Sequence, residues 1–502
     1  MRSRKMALVA TLRYRSEPMS IRPLPIRVAV AIALLLVAGC RREESGPIMV
    51  SAIDSAPELV NPNLKPLTPA SAFLVEATAQ GLVRFEATGQ VEPALAQSWI
   101  VSDDGLRYTF RLASVHWRDG SPVTAEQVVA RLRAASSAPS RNTLKPILGV
   151  IDEIEAMTEE VLEISLKAPR PNFLQLLAQP EMAVIRNGGG TGPFSMVRRP
   201  DGSMLLSLHH PDEDEDSPPH GPDVVLRGDR AALAVARFGA GGADLVIGGT
   251  LGDLPIARAA EPGAALVFDP VAGLLGFAFV NAKGVWAEPG ARDALSMAID
   301  RAQLVEALRV PNLQPRESLV PANVDELPAP ANPAWVVAPQ PMRRELAARR
   351  LQALSDGKPL TVRVSMPEGP GYRLLFAYVR RDWRALGVEA QRVGPNADAD
   401  LRLVDAVAPS ELAAWYLRQF TCDANPVCSA EVDARLAVAR VAASAAERQG
   451  QLAAADRQLT DLAVFIPIAA PVRWSLVSPR LTGLQPNPFG RRFAGALVAP
   501  TR

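Results

Sequence analysis

Three imidazoles and five carboxylates fall within the twelve residues His209–His220, HHPDEDEDSPPH. Such a tract offers loose coordination to a divalent ion, but its prolines and run of like charges fit a solvated loop better. No metal site is assigned. Cys422 and Cys428, in CDANPVC, have no histidines nearby, so a local disulfide is favoured over a zinc site, with two free thiols as the alternative. Trp415 and Tyr416 follow the irregular stretch DAVAPSELAA and are candidates for a ligand cleft, with core packing an equal alternative. The tract NGGGTGPF, Asn187–Phe194, permits a tight turn or a close ligand approach. It lacks the Lys-Ser/Thr ending of a phosphate loop, and a plain turn is favoured. Asp103-Asp104 and Glu159-Glu160 are adjacent in turns and read as solvated charge, not as an acid/base couple across a cleft. A nucleophile elbow, H-E-x-x-H, an EF-hand loop, a Walker-A loop and a Rossmann glycine fingerprint are all missing. No catalytic residue and no cofactor is assigned, and the chain does not read as an enzyme.

Composition narrows the classes further. The 502 residues are 48% hydrophobic and 21% charged with a formal net charge of +1, which excludes wholesale disorder and argues against a nucleic-acid binder. That length suggests two to four folding units, and 45 prolines predict many stiff connections. Near the N-terminus, Arg22 and Arg27 precede the apolar run Val28–Ala38, which is too short to span a bilayer and has the form of a secretory signal. It ends in Leu36-Val37-Ala38-Gly39-Cys40, which resembles the bacterial lipobox. The resemblance implies cleavage after residue 39, lipidation of Cys40 and a body outside the cytoplasm, where a Cys422–Cys428 bridge persists. The compact signal begins at Met19, the expected start.

Along the mature chain the patterning is mixed. Ile48–Ile53 reads as a strand and Ala70–Ala79 as a helix, followed by short strands over Trp99–Ser102, Arg107–Leu112 and Val115–Trp117. Thr124 with Gln127 forms a capping-box pattern that opens a helix through about Arg133. Ile151–Ile154 with Val161–Leu166, and Phe194–Arg198 with Met204–Leu208, read as strand pairs. One helix is expected over Gly290–Leu308, and Leu360–Val393 reads as a βαβ unit, the sign of a partly parallel sheet. Glu431–Val464 reads as helical with a break near Gly450.

Several of these segments carry a family resemblance. Glu76–Leu132 contains, in order, Gly81-Leu82 at a helix end, Pro93-Ala94-Leu95-Ala96 before Ser98-Trp99, Asp104-Gly105 before Tyr108-Thr109-Phe110, and Trp117-Arg118-Asp119-Gly120 before Thr124-Ala125. GTGPF at Gly190–Phe194, GGADLVI, the stretch Gly276–Val305 and the ending IPIAAPVRWSLVSPRLTGLQPNPFG continue the pattern. Over 48–490 the chain resembles extracytoplasmic solute-binding family 5, which includes oligopeptide-, dipeptide- and nickel-binding components of ABC importers. The resemblance implies an α/β, two-lobed periplasmic-binding-protein (Venus-flytrap) fold with mixed sheets and an extra subdomain inserted in lobe one. Lobe one would be 41–270 with the insertion at about 84–188 and a C-terminal return over 470–502, and lobe two would be 271–469.

The function implied is capture of a peptide-like small solute between the lobes and its delivery to an ABC permease and ATPase. The protein would be a monomer, held by its lipid on the periplasmic side of the envelope. Peptide binders of the family often hold the ligand's amino group with an aspartate in a "W..DY.DP..F" segment. The corresponding LVDAVAPSELAAWYL keeps Asp405 at the acidic position but loses the DY-DP pattern. Ser55 to Glu58 matches a ligand-facing loop and Asn142 a loop of the insertion, so the ligand-binding candidates are Ser55, Glu58, Asn142, Asp405, Trp415 and Tyr416. The departure at Asp405 leaves a second expectation, a non-transport sensor or scaffold with a degenerate cleft.

Overall fold

The computed structural model describes residues 46–54, 56–208, 221–260, 265–281, 283–324 and 326–498. Cys40, Ser55 and the tract 209–220 lie outside them. Three apolar strands, Ile48–Ile53, Val224–Asp229 and Leu245–Thr250, run parallel at the centre of a seven-stranded sheet. They read as near-continuous hydrophobic runs because helices cover both faces. Pro69–Thr78 packs Phe73 and Leu74 on one face, while Ala231–Gly239 packs Ala234 and Val235 on the other. Antiparallel strands close the flanks: Met204–Leu208 and Phe194–Arg198 on one side, Arg473–Val477 and Leu266–Phe268 on the other.

A second, five-stranded sheet runs in the order Val388–Val393, Leu360–Ser365, Leu401–Val407, Gly273–Phe279, Phe465–Ala469. Its first two strands and the helix Pro370–Arg384 make the expected βαβ unit with parallel register. Gly273–Phe279 is buried along its whole length, between an antiparallel partner on each side.

The third sheet, Ala96–Val101, Arg107–Leu112, Val161–Leu166 and Ile151–Ala156, is antiparallel throughout. With the helix Ala125–Ser136 it closes a separate core around Phe110, Leu132, Leu162 and Phe173. Thr124 caps that helix and the capping box is complete, Gln127 also taking the indole N–H of Trp117 at 2.6 Å. The chain leaves the first sheet after Ile53 and returns to it at Phe194, so this layer is an insertion. Phe85 stacks at 4.3 Å on Phe489 and ties it to the C-terminal return.

Three local expectations are corrected. The segment 290–308 is two helices, Pro289–Ala298 and Arg301–Leu308. Ile299 is extended, and Asp300 caps the second helix by accepting from Gln303 N–H at 3.0 Å while its own N–H bonds Asp382. The long C-terminal helical run breaks at 442–444, where Ser444 accepts from Glu447 N–H, and Gly450 lies inside Ala445–Asp461. The strand expected at Val115–Trp117 is reduced to a single bridge, His116 to Pro122, flanked by the bonds of Trp117 N–H to Ser121 O at 2.8 Å and of Val123 N–H to Val115 O at 2.9 Å.

Two short crossings join the first and second sheets, from Phe268 to Gly273 and from Ala469 to Arg473. Pro270 and Pro471 sit in them and fix φ at equivalent places. Asp269 N–H donates to Arg473 O at 3.0 Å, binding one crossing to the other. The Asp269 carboxylate takes both Arg492 nitrogens, at 2.8 and 3.0 Å, and Asn487 N–H. The joint between the two bodies is therefore anchored to the C-terminal return.

Candidate functional site

Seams beside this joint are where a solute would be enclosed. Asp405, on the strand Leu401–Val407, faces across it. Its Oδ1 accepts from Arg473 Nη1 at 2.7 Å, its backbone oxygen from Arg473 Nη2 at 3.1 Å, and its Oδ2 from the Tyr372 hydroxyl at 2.7 Å. Burial, reinforced by the Asp405 carboxylate, pushes the Tyr372 phenol far above its ordinary range, so it stays a donor. The aspartate's charge is already matched within the protein.

Tyr372 opens the helix Pro370–Arg384, whose N-terminus sits directly on the first body. Gly371 N–H donates to Gly252 O at 2.9 Å, and a Cβ on Gly371 would stand 1.8 Å from Leu251 O. Only glycine permits that approach. Nearby, the Trp474 indole N–H donates to Thr250 O at 2.7 Å. At the ends of two parallel strands Asp54 and Asp253 lie close enough to interact. Burial raises both carboxyls, and Asp54 raises Asp253 further.

A cavity of about 490 Å³ opens beside the crossing, within the size range of small-molecule sites. Trp99, Leu174 and Gln175 of the insertion wall it on one side, Pro270 and Ala272 of the crossing form its back, and Ser410 and Glu411 of the second body complete it. The Ser410 hydroxyl is buried and has no hydrogen-bond partner in the protein. Atoms from both bodies therefore enclose one space.

Ser55 lies outside the described residues, and none of the other five residues singled out in the sequence, Glu58, Asn142, Asp405, Trp415 and Tyr416, lines this cavity. Glu58 is exposed and paired with Lys65 at 3.1 Å. Asn142 is 3% exposed and spent on internal bonds: its Nδ2 donates to Asn63 Oδ1 at 2.8 Å and Glu181 O at 2.7 Å, and its Oδ1 accepts from Leu144 N–H. Trp415 and Tyr416 belong to a buried helix turn, Ala413–Arg418, with rings edge-on at 4.9 Å. Burial pushes the Tyr416 phenol up to about 12, against the pull of Arg316, and its hydroxyl has no partner. Cys422 and Cys428 are bridged, with Cα atoms 5.0 Å apart. Arg473, Tyr372, Ser410 and Glu411 were not anticipated. Ser410 and Glu411 fall inside the segment flagged for its irregularity, whereas Arg473 meets Asp405 only because the chain crosses between sheets 68 residues later.

Two sheet-centred bodies on a double crossing, with an inserted third layer, define a bilobal binding-protein fold. Solved structures share it: Haemophilus influenzae OppA in complex with RPPGFSPFR superimposes with a TM-score of 0.77 at 16% identity, covering 90% of this chain and 99% of that one. The Escherichia coli murein tripeptide binding protein MppA gives 0.77 at 20% identity, covering 90% and 98%, whereas its unliganded open form gives 0.62 at 20%, covering 87% and 94%. The profile of the bacterial extracellular solute-binding proteins, family 5, matches residues 90–409, and the chain belongs to that family. Among curated relatives, the nickel-binding periplasmic protein of Escherichia coli is 34% identical over 122 residues, 24% of this chain and 23% of that protein. The chain aligns with about a quarter to a third of the length of the curated relatives it matches.

Proposed function

We propose that this protein is the extracytoplasmic solute-binding component of an ABC importer. It captures a small, peptide-like solute between its lobes and presents the closed form to a permease and its ATPase. The observation that carries this reading is the 490 Å³ cavity walled by both lobes beside a two-crossing joint. A ligand touching both walls stabilises only the closed arrangement, and that difference in free energy is what a transporter can sense. The protein does no chemistry on its cargo. The lipobox at Leu36–Cys40 anchors the body to the periplasmic side of a membrane through a lipid on Cys40.

One observation favours a second reading. Asp405, the residue aligned with the amine-holding aspartate of peptide binders, is neutralised by Arg473, which fits a sensor or scaffold with a closed-off amine subsite. Thermal denaturation of the purified protein against di- to pentapeptides, nickel chelates and oligosaccharides separates the two. A ligand at 100 times its dissociation constant adds about 2.7 kcal/mol and raises the midpoint measurably. A shift with one class supports the transport component; a folded protein indifferent to all of them supports the scaffold.

A further inference from the structure

A second cleft lies where the inserted layer meets the last helices of the second lobe. Arg170 and Ile147 reach it from the insertion; Arg418, Arg440 and Arg448 come from Ala413–Arg418, Ala430–Val441 and Ala445–Asp461, with Glu326 beside them. Among the described residues lining it, four guanidinium groups face one carboxylate. That carboxylate is poorly engaged: Arg170 Nη1 is 3.7 Å and Arg448 Nη1 4.0 Å from Glu326 Oε1, both beyond hydrogen-bond reach. Glu326 Oε2 and Arg448 Nε have no partner, and Arg448 is only 7% exposed. Arg170 and Arg418 instead bond backbone oxygens across the seam, to Arg440 O at 3.2 Å and Pro146 O at 3.1 Å. Burial and mutual repulsion lower both of these guanidinium groups to about 10.

An excess of buried, incompletely paired cations is costly unless an anion joins them. The cleft has about 30 Å³ of free space, room for one or two water-sized groups such as the oxygens of an oxyanion. Guanidinium forks match such groups in geometry as well as charge. We propose that this seam is an oxyanion site, taking one carboxylate or phosphate group, and that its occupant holds the clamp shut. The inference rests on the solute-binding reading and names its chemistry: the anionic group belongs to the solute itself or is a free inorganic ion bound with it. With the seam empty, Arg170 repels the three arginines of the other lobe and favours opening. With an oxyanion in place, the same four groups draw the lobes together.

The test uses purified protein at pH 7 and fixed ionic strength, with unfolding midpoints read against inorganic phosphate, against short peptides with free carboxyl termini, and against the same peptides amidated. A saturable rise with phosphate assigns a free ion, and a rise only with free-carboxyl peptides assigns the solute's own group; both support the site. The double variant Arg418→Gln/Arg440→Gln is expected to bind the effective anion about tenfold more weakly or worse, yet to unfold no earlier than the unsubstituted protein in anion-free buffer. Arg440→Gln alone serves if the double variant does not fold. An unchanged anion response in the variant overturns the proposal, as does loss of stability without loss of anion binding, which marks the arginines as a plain interlobe latch. Equal shifts with amidated and free peptides, together with no rise in phosphate, also overturn it while leaving the solute-binding reading intact. No shift with any probe defeats both.

Discussion

Glu76 illustrates how burial sets the chemistry of single residues here. Its carboxylate accepts from Ala494 N–H at 3.1 Å, and desolvation, only partly offset by that bond and by Arg84, raises its pKa from 4.5 to about 7. The native protein therefore retains a proton that the unfolded chain gives up between those values. This contribution is complete below pH 4.5 and is lost as pH rises to 7, amounting to at most about 3 kcal/mol. Asp456, raised by burial to about 6, acts in the same direction. Urea denaturation at pH 5 and pH 8 should show lower stability at pH 8, and Glu76→Gln should remove most of the difference. Asp405 allows a second residue-scale prediction. Asp405→Asn strands the mostly buried Arg473 guanidinium and should cost about 3 kcal/mol, while adding Arg473→Gln should recover part of that loss. Asp405 was singled out only by its match to the family's acidic position, as a ligand contact, and the structure pairs it with Arg473 and Tyr372. Those partners were not legible, since a guanidinium 68 residues downstream is placed by the sheet crossing and leaves no local signal.

At the scale of elements, patterning succeeded where periodicity and capping agreed. The helix opened by Thr124 has both side-chain and backbone bonds of a capping box, and Thr124→Ala should cost about 1 kcal/mol in chemical denaturation. Patterning failed where a cap interrupts an amphipathic run. Asp300 and Ser444 each start a new helix, but within an apolar rhythm both look like ordinary polar positions on a continuing one. The loop between Ala413–Arg418 and Ala430–Val441 is closed by Cys422–Cys428, a span of 6 residues. Cys422→Ser/Cys428→Ser should lower stability by about 2 kcal/mol on loop entropy. Dithiothreitol should lower the unfolding midpoint of the parent protein and leave that of the double variant unchanged.

For the whole molecule, the two-lobed α/β fold with mixed sheets and an inserted layer could be anticipated from the family-like motifs, whereas the order of strands in the sheets could not. Nor could the enclosed spaces. Their walls are assembled from short loops such as 408–411 and from helix ends far apart in sequence, which only the tertiary fold brings together. The apolar core beside the joint runs from Val246 and Leu254 of the first lobe into Tyr372 and Leu375 of the second without interruption. Arg258 adds bonds to Leu308 O at 2.6 Å and Arg309 O at 2.7 Å, and Gln179 one to Pro409 O at 2.7 Å. Opening must therefore break the polar latches on the insertion side while the packed side acts as the pivot. The central claim is that the two lobes open and close on a solute. Small-angle X-ray scattering of the purified protein, alone and saturated with the compound giving the largest thermal shift, tests it directly. A clamp predicts a larger radius of gyration for the ligand-free protein and a saturated profile that fits the structure described above. Identical profiles in both states, each fitting the closed arrangement, would contradict it.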